Sequence, residues 1–536
     1  MTRPPFAGRD LHAGDPPLRA VIEPFADAAL EADLSAAGLW AGSAEAAEFA
    51  RLANRFPPAP GTDAEGMPSP EADCHPAFHA LLRRGIAMGL SSSLWEERPE
   101  ESGRRHGARA ARLYLAAQAE LGHLAVMSAT SAAVPVLSAR RDVLDGWLPL
   151  LSSRRYDHRA LPVSDKLGVT LGLGIAETRA GNDPQAMETI AVPVGDGTCH
   201  LTGTKAWLTH PAADAFLVLA RAPGGPSMFF VPRFRGDGSR NALSLERLHG
   251  LSGLRSAPVA EMALSEADGW LIGAEGEGGR FLTEITTLTR LDGALMAAGA
   301  MRAALSRAVH QARTTRGING LLIDQPLMRR VLADMAVDVA ASTILVLRLA
   351  RAFDRAAENP DEAAFARLMT PAVKFWVSRA APPLIAEAMD CIGAPAFGEA
   401  HPLARLHADA PGLSLWDGSA NGLALDVARL ARRSPATLEA VRGLFARDLG
   451  KDADVPMDDI RAAASASAND PGTARILTEQ VALVAAAAAL ASTAPRALTD
   501  AFLSTRLAGL WRTSYGMLDQ RHDARGIIDY VCPPVE

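Results

Sequence analysis

From Gly279 onward, apolar residues recur at Leu282, Ile285, Leu288, Leu291 and Leu295, in steps of three and four. That spacing is the buried stripe of an amphipathic helix. A second helix is predicted to start at Pro326, preceded by Asp324 or Gln325, because proline loses nothing in a first turn. Leu327, Val331, Met335 and Val339 mark its inner face, and two further helical patterns run from Glu362 to Met389 and from Ser419 to Ala446. Four long helices with short joints predict a bundle over 279–440. Upstream the period is different. TIAVPVG, TCHLTGTKAWLT, AFLVLAR, SMFFVPRF and VAEMAL are short, β-branched or aromatic, and separated by turn residues. They predict an antiparallel β-domain over 171–278. Residues 1–170 read as helical, broken by RFPPAPGTDAEGMPSPEAD (Arg55 to Asp73), whose prolines and glycines predict a long surface loop. After the polar joint KDADVPMDD, residues 441–536 read as helical again. The fold class is α+β, mainly α: N-terminal helical domain, middle β-domain, four-helix bundle and C-terminal helical appendix.

Composition narrows this picture only a little. The chain has 536 residues, 48% of them apolar, with 21% charged and a net charge of −7. Such a balance describes an ordinary soluble protein, not a nucleic-acid binder. From Ala431 onward twelve Lys and Arg face thirteen Asp and Glu. The clustered positive charge that duplex DNA requires is missing there, so no DNA partner is expected. Cys74, Cys199, Cys391 and Cys532 lie far apart and lack CxxC spacing, so neither a metal site nor a disulfide framework is expected. No apolar stretch follows the arginine of MTRPPFAGRDLHAGDPP, so no signal peptide is expected. The alanine-rich run Val481 to Ala494 is read as too short to span a bilayer. A cytoplasmic location follows as an expectation.

One acid stands out, Asp417 in LWDGSAN. Read from the residues alone, an aspartate before Gly-Ser at a helix start is a cap, stabilising by about 1 kcal/mol. A carboxylate between an indole and a tight turn is also a candidate general base.

Three segments carry a family likeness. GIAETRAGND (Gly174 to Asp183), GTKAWLTH (Gly203 to His210) and LWDGSAN resemble the signature, the flavin-facing strand and the base-bearing turn of the acyl-CoA dehydrogenase superfamily. APGGPSMFFVPRFRGDGSRNALSLERL, DQPLMRRVL, EAMDCIGAP, LDVARL and the C-terminal helices resemble its AidB-like subgroup. The resemblance implies FAD as cofactor, an acyl-CoA or related acyl thioester as substrate, and a homo-oligomer, tetramer or dimer, that completes each flavin site with a neighbour's residues. It implies Asp417 as the base, one methylene shorter than the family's glutamate. A branch similar to nitroalkane oxidases uses aspartate at this position, and a non-catalytic or DNA-associated flavoprotein is a further alternative. Relatives that carry the base on the first bundle helix have it at the position of Thr289, which cannot serve; Asp292 nearby reads as structural.

By the same resemblance, Trp207 stacks on the flavin and Thr209 bonds to it. In the residues alone, both also fit a half-buried strand with alternating side chains. Ala176 replaces a threonine at the pyrimidine end, and Asn182 replaces a serine near phosphate. In the half donated by a neighbour, Thr315 stands for an arginine and Ile318 for a phenylalanine. Arg316 falls one residue late, and Gln325 is kept. Gly393 opens the turn GAPAF, in which Ala394 and Ala396 replace glycines. Ser419 and Asn421 keep polar character near the adenosine. Weakened retention of FAD is expected.

Overall fold

The computed structural model describes residues 6–62, 68–96, 101–179, 184–195, 197–318, 320–508, 515, 518 and 521–534. They form two compact units. One comprises Glu48–Arg98 and Glu120–Thr289; the other comprises Met1–Ala47, Pro99–Ala119 and Arg290–Glu536. The long helix Gly278–Thr314 begins in the first and continues in the second.

The first unit is built on a seven-stranded sheet. Its order is Leu171–Gly174, Thr198–Thr209, Ile190–Gly195, Ala215–Ala222, Gly225–Pro232, Val259–Ile272 and Leu243–Leu248. Successive side chains of a strand point to opposite faces. Leu217, Leu219, Met228 and Phe230 therefore pack on one side, with Val134, Val136 and Leu137 of the helix Leu124–Leu137. Phe216, Val218, Phe229 and Val231 pack on the other, with Leu201 and Met262.

Most pairings are antiparallel, as the pattern predicts, with a correction at Ala215–Ala222, which pairs parallel with Leu171–Gly174 and, through Ile190 and Arg221, with Ile190–Gly195. The chain between Leu171–Gly174 and Ala215–Ala222 lays down Ile190–Gly195 and Thr198–Thr209 in the same sheet, so the two are not the arms of a hairpin and can run parallel. That strand, LGLG, was not anticipated, because its glycines hide any alternation. Gly172 is required there: an added Cβ would stand 2.5 Å from the Thr209 carbonyl oxygen.

The strand Thr198–Thr209 contains a bulge. Lys205 pairs with Met262 and Leu208 with Ala260, so Ala206 and Trp207 together oppose one residue. Trp207 takes a left-handed φ of 56°. Extra residues of this kind re-aim a side chain without ending the strand.

The proline-rich segment is a second correction. Ala59–Thr62 and Pro68–Asp73 pair antiparallel, with a register slip between Pro60 and Thr62. Prolines are tolerated in short edge strands, where a missing N–H breaks no ladder.

In the second unit, Gly278–Thr314, Pro326–Arg355 and Pro360–Ile392 are the long bundle helices. Gln325 is the N-cap and Pro326 the first helical residue of the second, as predicted. The predicted helix 419–446 is two helices, Ala420–Arg433 and Pro435–Leu449. Proline disfavours helical backbone in the residue before it, and Ser434 leaves the helix at φ −136°, ψ 72°. The alanine-rich run lies in Ala474–Thr493, which packs on the helices 326–355, 360–392, 420–433 and 435–449. By length and composition a window over Pro471–Thr493 suffices to cross a membrane, contrary to the expectation above. Most of it is buried inside the protein, as a core helix would be.

Candidate functional site

The helix Pro402–Leu415 ends at Trp416, whose backbone is already extended. Two left-handed residues follow, Asp417 at φ 55° and Gly418 at φ 128°. Aspartate is among the few side chains that visit this region readily. Position 418 admits only glycine, since a Cβ would be strained by φ and would meet the Arg290 guanidinium at 3.3 Å. Ser419 then caps the helix Ala420–Arg433, its Oγ accepting from the Gly422 N–H at 3.3 Å. This corrects the cap reading of Asp417: the helix takes its cap from Ser419. Ser419→Ala should accordingly lose about 1 kcal/mol in a urea titration, a loss that belongs to the serine and not to Asp417.

Two cations hold the turn from below. Arg290 Nε donates to the Asp417 carbonyl oxygen at 3.0 Å. Its other arm pairs with Asp426 at 3.0 Å. Lys374, fully buried on the 360–392 helix, reaches the Gly418 carbonyl oxygen at 3.3 Å. Asp292, the other acid near Arg290 in sequence, is bound by both arms of Arg109 at 2.6 and 2.8 Å, and both partners are buried. It is a structural partner, as expected. Thr289 is buried, with a hydroxyl that has no hydrogen-bond partner.

Within the sheet-bearing unit, Trp207 is 57% exposed while Lys205, Ala206, Leu208 and Thr209 are buried. Simple alternation of strand faces therefore fails here; the bulge turns out the indole alone. His249 stacks on it, centroids 4.2 Å apart and planes 12° from parallel. One face of the indole is thus backed and the other is free to meet a flat ring. Ala176 lies half-buried, its carbonyl oxygen accepting from the Ala206 N–H at 3.0 Å. The signature is tied to the strand through Glu177, which accepts from Lys205 Nζ at 2.5 Å and from the N–H groups of Glu188 and Thr189. Burial pushes the Glu177 carboxyl up, but these bonds outweigh it and hold it below the usual range. Burial brings Lys205 down to about 8. Asn182 lies outside the described residues.

The remaining candidates belong to the helical unit. Arg316 is exposed in a two-residue pairing with Leu321. Gln325 caps its helix through the backbone, without a side-chain bond. Gly393 ends the 360–392 helix at φ 85°, with open space where a Cβ would stand. Asn421 is exposed, and its Oδ1 accepts from Arg475 Nε at 2.9 Å. Within the sheet-bearing unit, an outward indole beside a buried threonine fits the flat ring of a cofactor; within the helical unit, taken by itself, the turn at Gly393 leaves its backbone open to a phosphate. Sequence reasoning missed Lys374 and His249. The signal for the first is a lysine inside the apolar run Ala372–Val377; the histidine has none.

Comparison with known proteins places these features. Residues 2–158 match the "Adaptive response protein AidB N-terminal domain", residues 172–267 the "Acyl-CoA dehydrogenase, middle domain" and residues 276–431 the "Acyl-CoA dehydrogenase, C-terminal domain". The chain is 39% identical to AidB of Escherichia coli (strain K12) over 421 residues, 78% of this chain and 77% of that one. Among solved structures it is similar to Caenorhabditis elegans ACDH-11 in complex with C11-CoA, at a TM-score of 0.83 and 23% identity. That likeness covers 100% of this chain and 93% of the other, and it speaks for the fold. An acyl-CoA dehydrogenase of Bacillus anthracis complexed with FAD follows at 0.64 and 18%, covering 80% of each chain.

Proposed function

This chain belongs to the acyl-CoA dehydrogenase family, in its AidB branch, and we propose that it desaturates an acyl thioester with Asp417 as the base. FAD is the cofactor of the family and, when bound, accepts the hydride that leaves the β-carbon. The chain's own part is to take the α-proton onto an Asp417 Oδ as that C–H bond breaks, and to hold both partners still. The observation that carries this reading is the turn: its backbone is gripped by Arg290 and Lys374, and its helix is capped by Ser419. Trp207 and Thr209 would bind the flavin end, with the backbone around Ala176. Arg316, Gln325, Gly393, Ser419 and Asn421 would serve the far end, and Asn182 a phosphate.

The proposal includes a dimer or tetramer. Ile318, Leu327 and Phe397 support it, since all three are large, apolar and strongly exposed on the segments a neighbour would use. It also includes weak retention of FAD, because Thr315 and Ile318 replace an arginine and an aromatic. Losing one charged hydrogen bond to phosphate lowers affinity roughly tenfold to a hundredfold. The purified protein should show flavin bands that fade on dialysis and return with added FAD, and should sediment as an oligomer at micromolar concentration. A colourless protein that FAD does not tint favours a non-catalytic scaffold. A monomer removes the shared-site reading.

A further inference from the structure

The sequence has only four lysines among its 54 cationic Lys and Arg: Lys166, Lys205, Lys374 and Lys451. Three of the four are buried. Lys166 is bonded to Asp214 at 2.8 Å and Lys205 to Glu177 at 2.5 Å. Lysine is thus kept where a compact ammonium meets a buried carboxylate. Lys374 departs from that pattern in one respect. It bonds the Gly418 carbonyl, next to its acid, while Asp417 acts on it through charge.

We infer that Lys374 is a positioning residue for Asp417, fastening the turn that carries the carboxylate and setting a positive charge beside it. The inference rests on Asp417 being the base. Every residue of the helix from Leu368 to Ser378 is buried, so this ammonium sits in an apolar stretch. A charge there is strongly disfavoured unless an opposite charge attends it. Among the described residues, two charged groups bear on the amine: Asp417, from the turn, favours the ammonium, and Arg290, from the 278–314 helix, opposes it. Burial is the larger effect and brings Lys374 down to about 8. The turn therefore has one permanent cation, Arg290 on the Asp417 carbonyl, and one whose charge is lost, and its bond to the Gly418 carbonyl weakened, in mildly alkaline solution. Arginine in its place would keep its charge throughout that range.

The test uses the full-length chain with lysine labelled at the ε-carbon, where four signals are expected and Lys374→Met identifies one. That signal should titrate near pH 8 in the parent and at lower pH in Asp417→Asn, which removes the favouring charge. An unmoved titration overturns the inference. In the FAD-loaded protein, flavin reduction by an acyl-CoA should slow as pH rises through about 8. Lys374→Arg should recover part of the rate and abolish that decline. Lys374→Met should be slower at every pH by roughly tenfold to a hundredfold, the effect of a base displaced by a fraction of an ångström to about 1 Å. Parent rates in Lys374→Met, or a parent profile level through pH 8, overturn it. If Lys374→Met does not fold, the parent and the arginine variant decide. Should Asp417→Asn reduce flavin at the parent rate, the base reading fails separately, and the lysine titration still reports the coupling.

Discussion

Asp417→Asn is expected to lower the rate of flavin reduction by about a hundredfold to ten-thousandfold, the range that a positioned general base contributes. The change is chemical and leaves the fold alone. Asparagine tolerates left-handed backbone as aspartate does. Arg290 and Lys374 bind the carbonyls of the turn, which the substitution keeps. Ser419 still caps the next helix. Asp417→Ala is the poorer test, because a left-handed alanine adds strain of about 1 kcal/mol or more. Asp417→Glu separates two chemistries. A pocket shaped for the family's longer acid keeps or gains activity with glutamate, while a site adapted to aspartate, as in nitroalkane oxidation, loses it. Anaerobic stopped-flow absorbance of the flavin reads all three. An asparagine variant as fast as the parent would remove Asp417 from the reaction.

Breaking the Arg109–Asp292 pair should have the largest effect on stability. Both side chains are almost wholly buried and joined by two bonds. Arg109→Leu strands a carboxylate in the interior, at a loss of about 3–5 kcal/mol. The double variant Arg109→Leu/Asp292→Leu should recover most of that, because a buried pair is worth little more than the apolar contact replacing it. Chemical denaturation of the single and double variants gives both numbers. A single variant within about 1 kcal/mol of the parent would mean that water reaches the site.

The helices were legible because their stripes repeat over many turns: Leu282 to Leu295 is such a case. The principal strands were legible from β-branched and aromatic runs, such as TCHLTGTKAWLT. What escaped had no periodic signal. LGLG is a strand because Gly172 permits close approach to the Thr209 carbonyl, a tertiary fact. The hairpin around residue 60 hides behind prolines that an edge strand tolerates. Ser434 and Pro435 lie in plain sight, yet the apolar stripe continues through them and masks the break. At the turn the candidate acid was legible, but its surroundings were not. Which of Asp417 and Ser419 caps the helix depends on two positive φ values that no residue type alone dictates. Lys374 comes from a helix more than forty positions earlier, and only packing brings it beneath Gly418.

The bulge at Ala206 and Trp207 separates two tasks that a regular strand would merge. On either side of it Lys205 and Leu208 keep their partners, so the sheet's bookkeeping closes without the indole. Trp207 is in effect a supernumerary residue, carried by the strand but not counted in its pairing. A lineage could therefore exchange or even delete it while the ladder stayed in step. Within such a scaffold the surface offered to a cofactor is free to drift, and the core that bears it is not.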